Sequence, residues 1–120
     1  MKKVIFILLT IIITSCDNIV YYNFFAKNNC NYPIQIMIVN YENVKTYKTI
    51  ESNKEMKVYE SEGLDPLSNR KIESVFISII ALHNQDTTKV NYVDKDLWDF
   101  QVIDDEHANC YLEIDSVDFR

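Results

Sequence analysis

The sequence has very few of the residues that commonly punctuate a chain: one glycine, Gly63, and two prolines, Pro33 and Pro66, in 120 residues. A Gly-x-Ser-x-Gly nucleophile elbow is therefore impossible. Histidine is almost as scarce, with only His83 and His107, and neither lies at zinc-ligand spacing from a cysteine. Asparagine takes the place of glycine in the turns, because it tolerates a left-handed backbone and can bond its own chain.

Basic residues are also few, 12 Lys and Arg against 18 Asp and Glu. Nucleic-acid binding depends on neutralising phosphates with Lys and Arg, so the composition predicts no nucleic-acid partner. The chain has no internal repeat and no low-complexity tract. Its hydrophobic content of 48% and its fourteen Phe and Tyr residues indicate a folded globular domain.

The N-terminus has the pattern of an export signal. Two lysines precede an apolar run over residues 4–13, which is about half of the roughly 20 residues that a membrane-spanning helix needs. The run ends in Ile13-Thr14-Ser15-Cys16, two small residues directly before a cysteine. This pattern resembles the lipobox of bacterial lipoproteins, in which the cysteine thiol receives diacylglycerol and the signal is cut before that cysteine.

The resemblance implies three segments. Residues 1–15 are a cleaved signal peptide, helical while attached, residues 16–18 are the lipidated Cys16 and a short tether, and residues 19–120 are the domain. The mature chain would carry 10 basic and 18 acidic residues, a formal charge of −8. Two or more acyl chains, such as palmitate, make anchoring stable. The alternative is an ordinary secretory signal that leaves Cys16 as a thiol.

Cys30 and Cys110 remain as an even pair in an exported protein, where disulfides persist. A bridge would close a loop of ~80 residues and contribute about 4 kcal/mol in the chain-entropy model. The alternative is two separate buried thiols, since free cysteine packs as a small hydrophobe.

Short β-rich runs separated by polar turns predict an all-β protein: a single antiparallel, immunoglobulin-like β-sandwich of about seven or eight strands. "ESN" (51–53) is predicted to be a hairpin turn, the segment 61–71 a crossing between two sheets, and "SVFISIIAL" (74–82) the central strand. In the last strand, over 109–117, Cys110, Leu112 and Ile114 share one face. The run "YYNFF" (21–25) is expected to be a strand feeding the core, although its tyrosines could instead rest on lipid headgroups.

One segment, "DKDLWD", is a candidate for ligand binding. Asp94, Asp96 and Asp99 offer hard oxygen ligands for calcium, and Trp98 could act as a stacking platform. The EF-hand spacing is missing, so a solvated acidic loop, or Asp96 capping a helical turn, explains the run equally well. No catalytic residue and no cofactor is predicted.

The lipobox, "NNCNYPIQI" at the start of the domain, the lone Trp98 and the closing "YLEID" resemble the small β-sandwich lipoproteins common in Bacteroidota. That resemblance covers most of the chain and implies a fold and a location in the cell envelope. Surface-exported lipoproteins of this group carry several acidic residues after the cysteine, whereas here only Asp17 does so. The expected location is therefore the periplasmic face of the outer membrane.

Together these features predict a lipid-anchored, non-enzymatic binding or structural module. Its partners would be the membrane, through the lipid, and a protein or other macromolecule bound by a sheet face or an edge strand. Two alternatives stay open at this point: a calcium- or ligand-binding surface lipoprotein that uses residues 94–99, and an envelope hydrolase built on scattered carboxylates.

Overall fold

Alternating apolar and polar side chains form eight strands within residues 19–120, the part of the chain that the computed structural model describes. The first sheet contains, in spatial order, β4 (Glu55–Gly63), β1 (Val20–Asn28), β8 (His107–Ile114) and β7 (Trp98–Val102). The second sheet contains β3 (Lys45–Ile50), β2 (Ile34–Asn40), β5 (Phe76–His83) and β6 (Asp86–Thr87). The predicted segments 1–15 and 16–18, with Cys16, lie outside the described residues.

Helical structure is sparse in the described domain, as predicted. A five-residue helix, α1 (Lys71–Val75), joins β4 to β5, and two 3-10 turns occupy Lys95–Leu97 and Ser116–Phe119. Within residues 19–120, no helix combines the length and the apolar character needed to cross a membrane.

The two sheets pack against each other around Phe24 of β1, which is fully buried. Its ring meets Phe76 of β5 edge-to-face at 4.9 Å between centroids, and Trp98 of β7 at 5.7 Å. Edge-to-face aromatic pairs are worth about 0.5–1.5 kcal/mol beyond the area they bury. The prediction of an all-β domain built on two packed sheets is confirmed.

Strand pairing differs from the prediction in one important place. β1 pairs with β8 in parallel, from Tyr21 opposite His107 to Asn28 opposite Ile114, whereas a purely antiparallel sandwich was expected. The strand orders 4-1-8-7 and 3-2-5-6 also differ from the immunoglobulin order. The first and last strands of the domain thus lie side by side in the middle of one sheet.

The turns are built on asparagine, as the scarcity of glycine predicted. Asn43, Asn53 and Asn84 adopt positive φ values of 63°, 59° and 54°, in the left-handed region that asparagine tolerates. The predicted hairpin at residues 51–53 is wrong, however, because β3 and β4 belong to different sheets. The tight turn is present, but it carries the chain across the sandwich. The predicted crossing over residues 61–71 is confirmed.

A β-bulge changes the expected facing of β4. Phe24 is opposite Tyr59 and Phe25 is opposite Lys57, so Val58 is the extra residue. The bulge turns Tyr59 inward against Phe76, at 5.0 Å between ring centroids, whereas strict alternation from the outward Lys57 would turn Tyr59 outward.

The domain has two ends, defined by the direction of β1. The end at Val20, where the chain arrives from Cys16, is called the tether end, and the end at Asn28 is called the far end. β1 spans about 26 Å between them at about 3.3 Å per residue. β2 begins at the far end, because Asn28 donates from Nδ2 to the carbonyl of Ile50, the residue paired with Ile34. β2 therefore runs back to the tether end.

Candidate functional site: the outer face of the first sheet

The parallel pairing of β1 and β8 places two rows of side chains on the solvent side of the first sheet. These rows are called the outer face and comprise Tyr21, Asn23, Phe25 and Lys27 from β1 with His107, Asn109, Tyr111 and Glu113 from β8. Alternation explains the arrangement, because the residues between them point into the core and are buried.

Side chains on the outer face bind one another across the two strands. Tyr21 stacks on His107 at 5.3 Å between ring centroids, and Phe25 stacks on Tyr111 at 5.1 Å, with interplanar angles of 20° and 16°. Between the two stacks, Asn23 donates from Nδ2 to Oδ1 of Asn109 at 3.3 Å. Because the ring faces cover each other, the surface offers ring edges and amides to a partner.

Charged side chains border the outer face on both flanking strands. β4 contributes Glu55, Lys57, Glu60 and Glu62, opposite Lys27, Phe25, Asn23 and Tyr21 in turn, and β7 contributes Asp99 opposite Tyr111. With Lys27 and Glu113, the region holds five carboxylates and two lysines. An acidic border around an aromatic centre favours a partner of positive charge.

The two histidines are held by neighbouring groups. Nδ1 of His107 lies 2.8 Å from Oδ1 of Asp104, and this hydrogen bond lowers the pKa of the exposed Asp104 carboxyl. The His83 ring stacks on Tyr32 at 3.9 Å, and its Nδ1 lies 3.1 Å from the carbonyl of Pro33. Among residues 19–120, neither imidazole is hydrogen-bonded to a serine, threonine or cysteine side chain.

The calcium candidates do not converge on one point. Asp94 caps the 3-10 turn by accepting from the backbone N–H of Asp96 at 2.9 Å, so Asp94, not Asp96, is the cap. The Asp96 carboxylate pairs with Lys95 at 3.2 Å, and Asp99 accepts from Nε2 of Gln101 at 2.8 Å. In the described part of the chain, no three Asp, Glu, His or Cys side chains are grouped to hold a metal ion.

Trp98 is a core residue, so the prediction of a stacking platform is wrong. Its side chain is 6% exposed, and its Nε1 donates to the carbonyl of Tyr92 at 2.7 Å. The surrounding "DKDLWD" pattern suggested exposure, but alternation in β7 directs Trp98 inward and Asp99 outward.

Apart from the outer face, a concave region lies at the tether end between β4 and α1. This cleft of ≈ 280 Å³ is lined by residues that include Arg70, Lys71 and Ser68. Lys71 already has a neighbour there, because its Nζ lies over the Tyr22 ring at 5.7 Å from the centroid. A Cβ on Gly63 would approach that Nζ to 2.8 Å, a contact that the flexible lysine side chain can relieve by moving.

The two cysteines of the domain are separate buried thiols, which is the second of the two alternatives that the sequence left open, and the possible disulfide is not formed. Sγ of Cys30 lies 4.0 Å from the carbonyl oxygen of Ile114 at the end of β8. Cys110 lies four residues earlier on that strand, about 13 Å away at 3.3 Å per residue. Disulfide geometry requires Cα atoms within about 7 Å of each other.

Burial should make both thiols unreactive in the folded protein. Desolvation raises the pKa of Cys110 to about 12 and also raises the pKa of Cys30, above an ordinary value of 9.0. The reactive thiolate is therefore scarce at pH 8. In a Cys16→Ala protein, a maleimide should modify neither thiol until denaturant is added, and then both. Rapid modification of the native protein would contradict the buried placement.

The same shifts predict the direction of a pH effect on stability. A folded-state pKa raised above the unfolded value contributes stability that is complete below the unfolded pKa. For Cys110 this contribution is lost as the pH rises from 9.0 towards about 12. The free energy of unfolding should thus decline in alkali, and less steeply in a Cys110→Ala variant.

Comparison with protein-family models, with curated protein sequences and with solved structures found no match. Sequence analysis identified the alternation of β8 and the aromatic run of β1, but it missed the outer face as a unit. The available signal was the outward set Tyr21, Asn23 and Phe25 in one strand and Tyr111 in the other. Only their parallel pairing brings them together.

Proposed function

We propose that the protein is a lipid-anchored module of the bacterial cell envelope, non-enzymatic, that binds a protein partner on the outer face of its first sheet. The observation that carries the proposal is where the folded domain starts. Val20, 5% exposed, is the first core residue of the described domain and lies four residues after Cys16. A lipobox cysteine that precedes the folded domain leaves the whole domain in the mature chain, which supports a lipid-anchored protein.

The proposed location is the periplasmic face of the outer membrane. Only Asp17 follows Cys16 as an acidic residue before the domain begins, which supports retention inside the envelope. The tether is so short that the domain stays close to its membrane, since three residues span at most about 10 Å.

The geometry of the outer face supports a binding function better than a catalytic one. Aromatic residues are enriched at protein recognition surfaces, and here four aromatic rings occupy two neighbouring strands of a rigid sheet. The stacked arrangement holds their side chains in place before a partner arrives, so little side-chain entropy is lost on binding. The acidic border would attract a basic partner and exclude acidic ones.

A photocrosslinking amino acid in place of Tyr111 tests the binding surface in intact cells. We expect a discrete adduct from position 111 and none from a matched position, Tyr47, on the outside of the second sheet, where the side chain is 50% exposed. Reversing the charge of the border with Glu60→Lys and Glu62→Lys should reduce the adduct yield, because a basic partner would then be repelled.

Two results would contradict this surface as the binding site. Equal adducts from positions 111 and 47 would indicate non-specific contact. An adduct at position 111 that is unaffected by the charge reversal would mean that the acidic border does not select the partner.

The alternative of a calcium-dependent lipoprotein has lost its structural support, because Asp94, Asp96 and Asp99 each bond to a different group. For the hydrolase alternative, residues 19–120 show no cluster of carboxylates around a base. No specific observation therefore supports calcium binding or hydrolysis, whereas the stacked rings of the outer face support a binding surface.

A further inference from the structure

Exposed apolar side chains are concentrated at the tether end. Eleven large hydrophobic residues of the described domain are exposed, and eight of them belong to segments at or next to this end: Ile19, Tyr21, Tyr41, Val44, Leu64, Ile77, Val102 and Ile103. A soluble domain shows scattered exposed apolar residues, but a cluster marks an interaction site.

Three segments of the first sheet meet there. Gly63 pairs with Val20, which places Leu64 beside the start of β1, and Leu64 is 73% exposed. The loop between β7 and β8 lies on the other side, since the N–H of Tyr21 donates to the carbonyl of Glu106 at 2.6 Å. Ile103 opens that loop and is 58% exposed.

The second sheet contributes the β2–β3 turn and the start of β5. Asn40, the last residue of β2, pairs with Phe76, the first residue of β5, so both lie at the tether end. The adjoining residues are Tyr41, which is 61% exposed, and Ile77, which is 45% exposed. The apolar side chains therefore come from loops of both sheets and surround the point where the chain arrives.

The chain itself indicates what covers this end. Ile19 lies three residues after Cys16, so an acyl group on that cysteine is at most about 10 Å of extended chain from the loops. We propose that the tether end rests on the bilayer, with Leu64 and Ile103 inserted into its interface and the far end pointing away. This inference rests on the proposed lipid anchor and adds an orientation to it.

The charges at the tether end indicate which lipid suits it. The loop that begins at Ile103 also contains Asp104, Asp105 and Glu106, and Asp65 follows Leu64. These four carboxylates outnumber the two cations, Arg70 and Lys71, that line the cleft at the same end. Acidic loops are repelled by anionic headgroups. The contact should therefore be strongest on zwitterionic lipid, and anionic lipid should weaken it. An end-on orientation also leaves the outer face of the first sheet accessible to a partner.

Depth-dependent quenching of a single added tryptophan tests the orientation on the full lipidated protein. Leu64→Trp places the probe at the tether end, and Val117→Trp is the matched control at the far end, where Val117 is 60% exposed. Trp98 is buried and gives a constant background. In phosphatidylcholine vesicles with brominated acyl chains, the Leu64→Trp protein should lose most of its added emission and the Val117→Trp protein none. Replacing part of that lipid with phosphatidylglycerol that carries the same brominated chains should reduce the loss.

The outcomes separate this inference from the anchor itself. If both proteins sediment with vesicles and neither probe is quenched, the lipid anchor is supported and the end-on orientation is wrong. Equal quenching of both probes would show a domain lying flat, which also overturns it. If the lipoprotein does not sediment with vesicles at all, the proposed anchor fails, and this inference fails with it.

Discussion

Replacing Cys16 with alanine is expected to move the protein from the membrane fraction to the soluble fraction. Each buried methylene of an acyl chain contributes about 0.8 kcal/mol, and anchoring by two or more chains is stable where one chain is marginal. In the orientation proposed above, the loops at the tether end reach only the bilayer interface, so they are not expected to replace that contribution. Cell fractionation followed by immunodetection measures the change, and mass spectrometry of the N-terminal peptide detects the acyl groups on the unsubstituted protein.

A second cysteine substitution provides the matched control. Cys30→Ala changes a buried thiol outside the lipobox, so it should leave the protein in the membrane fraction. A Cys16→Ala protein that still sediments with membranes and dissolves only in detergent would show that the anchor is not a lipid on this residue. A soluble Cys30→Ala protein would show that unfolding, not delipidation, explains the release.

The positions of the strands could be predicted because they depend on local sequence. Apolar and aromatic runs, with period-2 alternation in β4, β7 and β8, located seven of the eight strands to within a few residues, and asparagine marked the turns. Residues 89–93 have the β-rich composition of a strand, yet this segment is irregular, with the N–H of Tyr92 donating to the carbonyl of Ile79. A second hydrogen bond to β5, from the N–H of Ile79 to Oδ1 of Asn91 at 2.9 Å, helps to hold this segment in place of a strand ladder.

Strand pairing depends on contacts between distant residues, which alternation does not encode. "ESN" has the composition of a hairpin turn. However, Ile50 before it is buried at the end of β3 in the second sheet, and Glu55 after it begins β4 in the first sheet. The parallel pairing of β1 with β8 joins residues 86 positions apart, such as Asn23 with Asn109. The outer face could not be predicted for that reason.

Residue-level interpretations failed where the local pattern had two readings. Asp94 and Asp96 are both suited to capping, and only the backbone geometry selects Asp94. Trp98 lies between charged residues, but its indole satisfies its N–H on a carbonyl and fills the space beside Phe24. Alternation with Phe100 and Val102 was the correct signal for a strand, and it outweighs the acidic neighbours.

Replacing Asn28 with alanine is expected to destabilise the domain by about 3 kcal/mol. The side chain is fully buried and makes three hydrogen bonds: Nδ2 donates to the carbonyls of Tyr32 and Ile50 at 2.7 and 3.0 Å, and Oδ1 accepts from the N–H of Cys30 at 2.8 Å. Alanine leaves these three backbone groups without a hydrogen-bond partner in the folded state. Each unsatisfied buried group lowers the free energy of unfolding by about 1–3 kcal/mol.

The loss is large relative to the whole, because a domain of this size is stable by about 5–15 kcal/mol. Asn28 also holds the far end together. Its hydrogen bonds join the end of β1 to the turn before β2, at Tyr32, and to the end of β3, at Ile50. Urea unfolding followed by circular dichroism should show a lower midpoint with an unchanged slope, as expected when stability changes and the exposed area does not.

The neighbouring residue supplies the control. Asn29 makes one exposed hydrogen bond from its side chain, to Asp115 at 3.0 Å, so Asn29→Ala should change the free energy of unfolding by about 0.5 kcal/mol or less. Asn28→Asp should be at least as damaging as Asn28→Ala, because a carboxylate cannot donate to the two carbonyls and its charge would be buried. A small effect of Asn28→Ala, equal to that of Asn29→Ala, would mean that water or a rearranged turn satisfies the three backbone groups, and that the far end does not depend on this side chain.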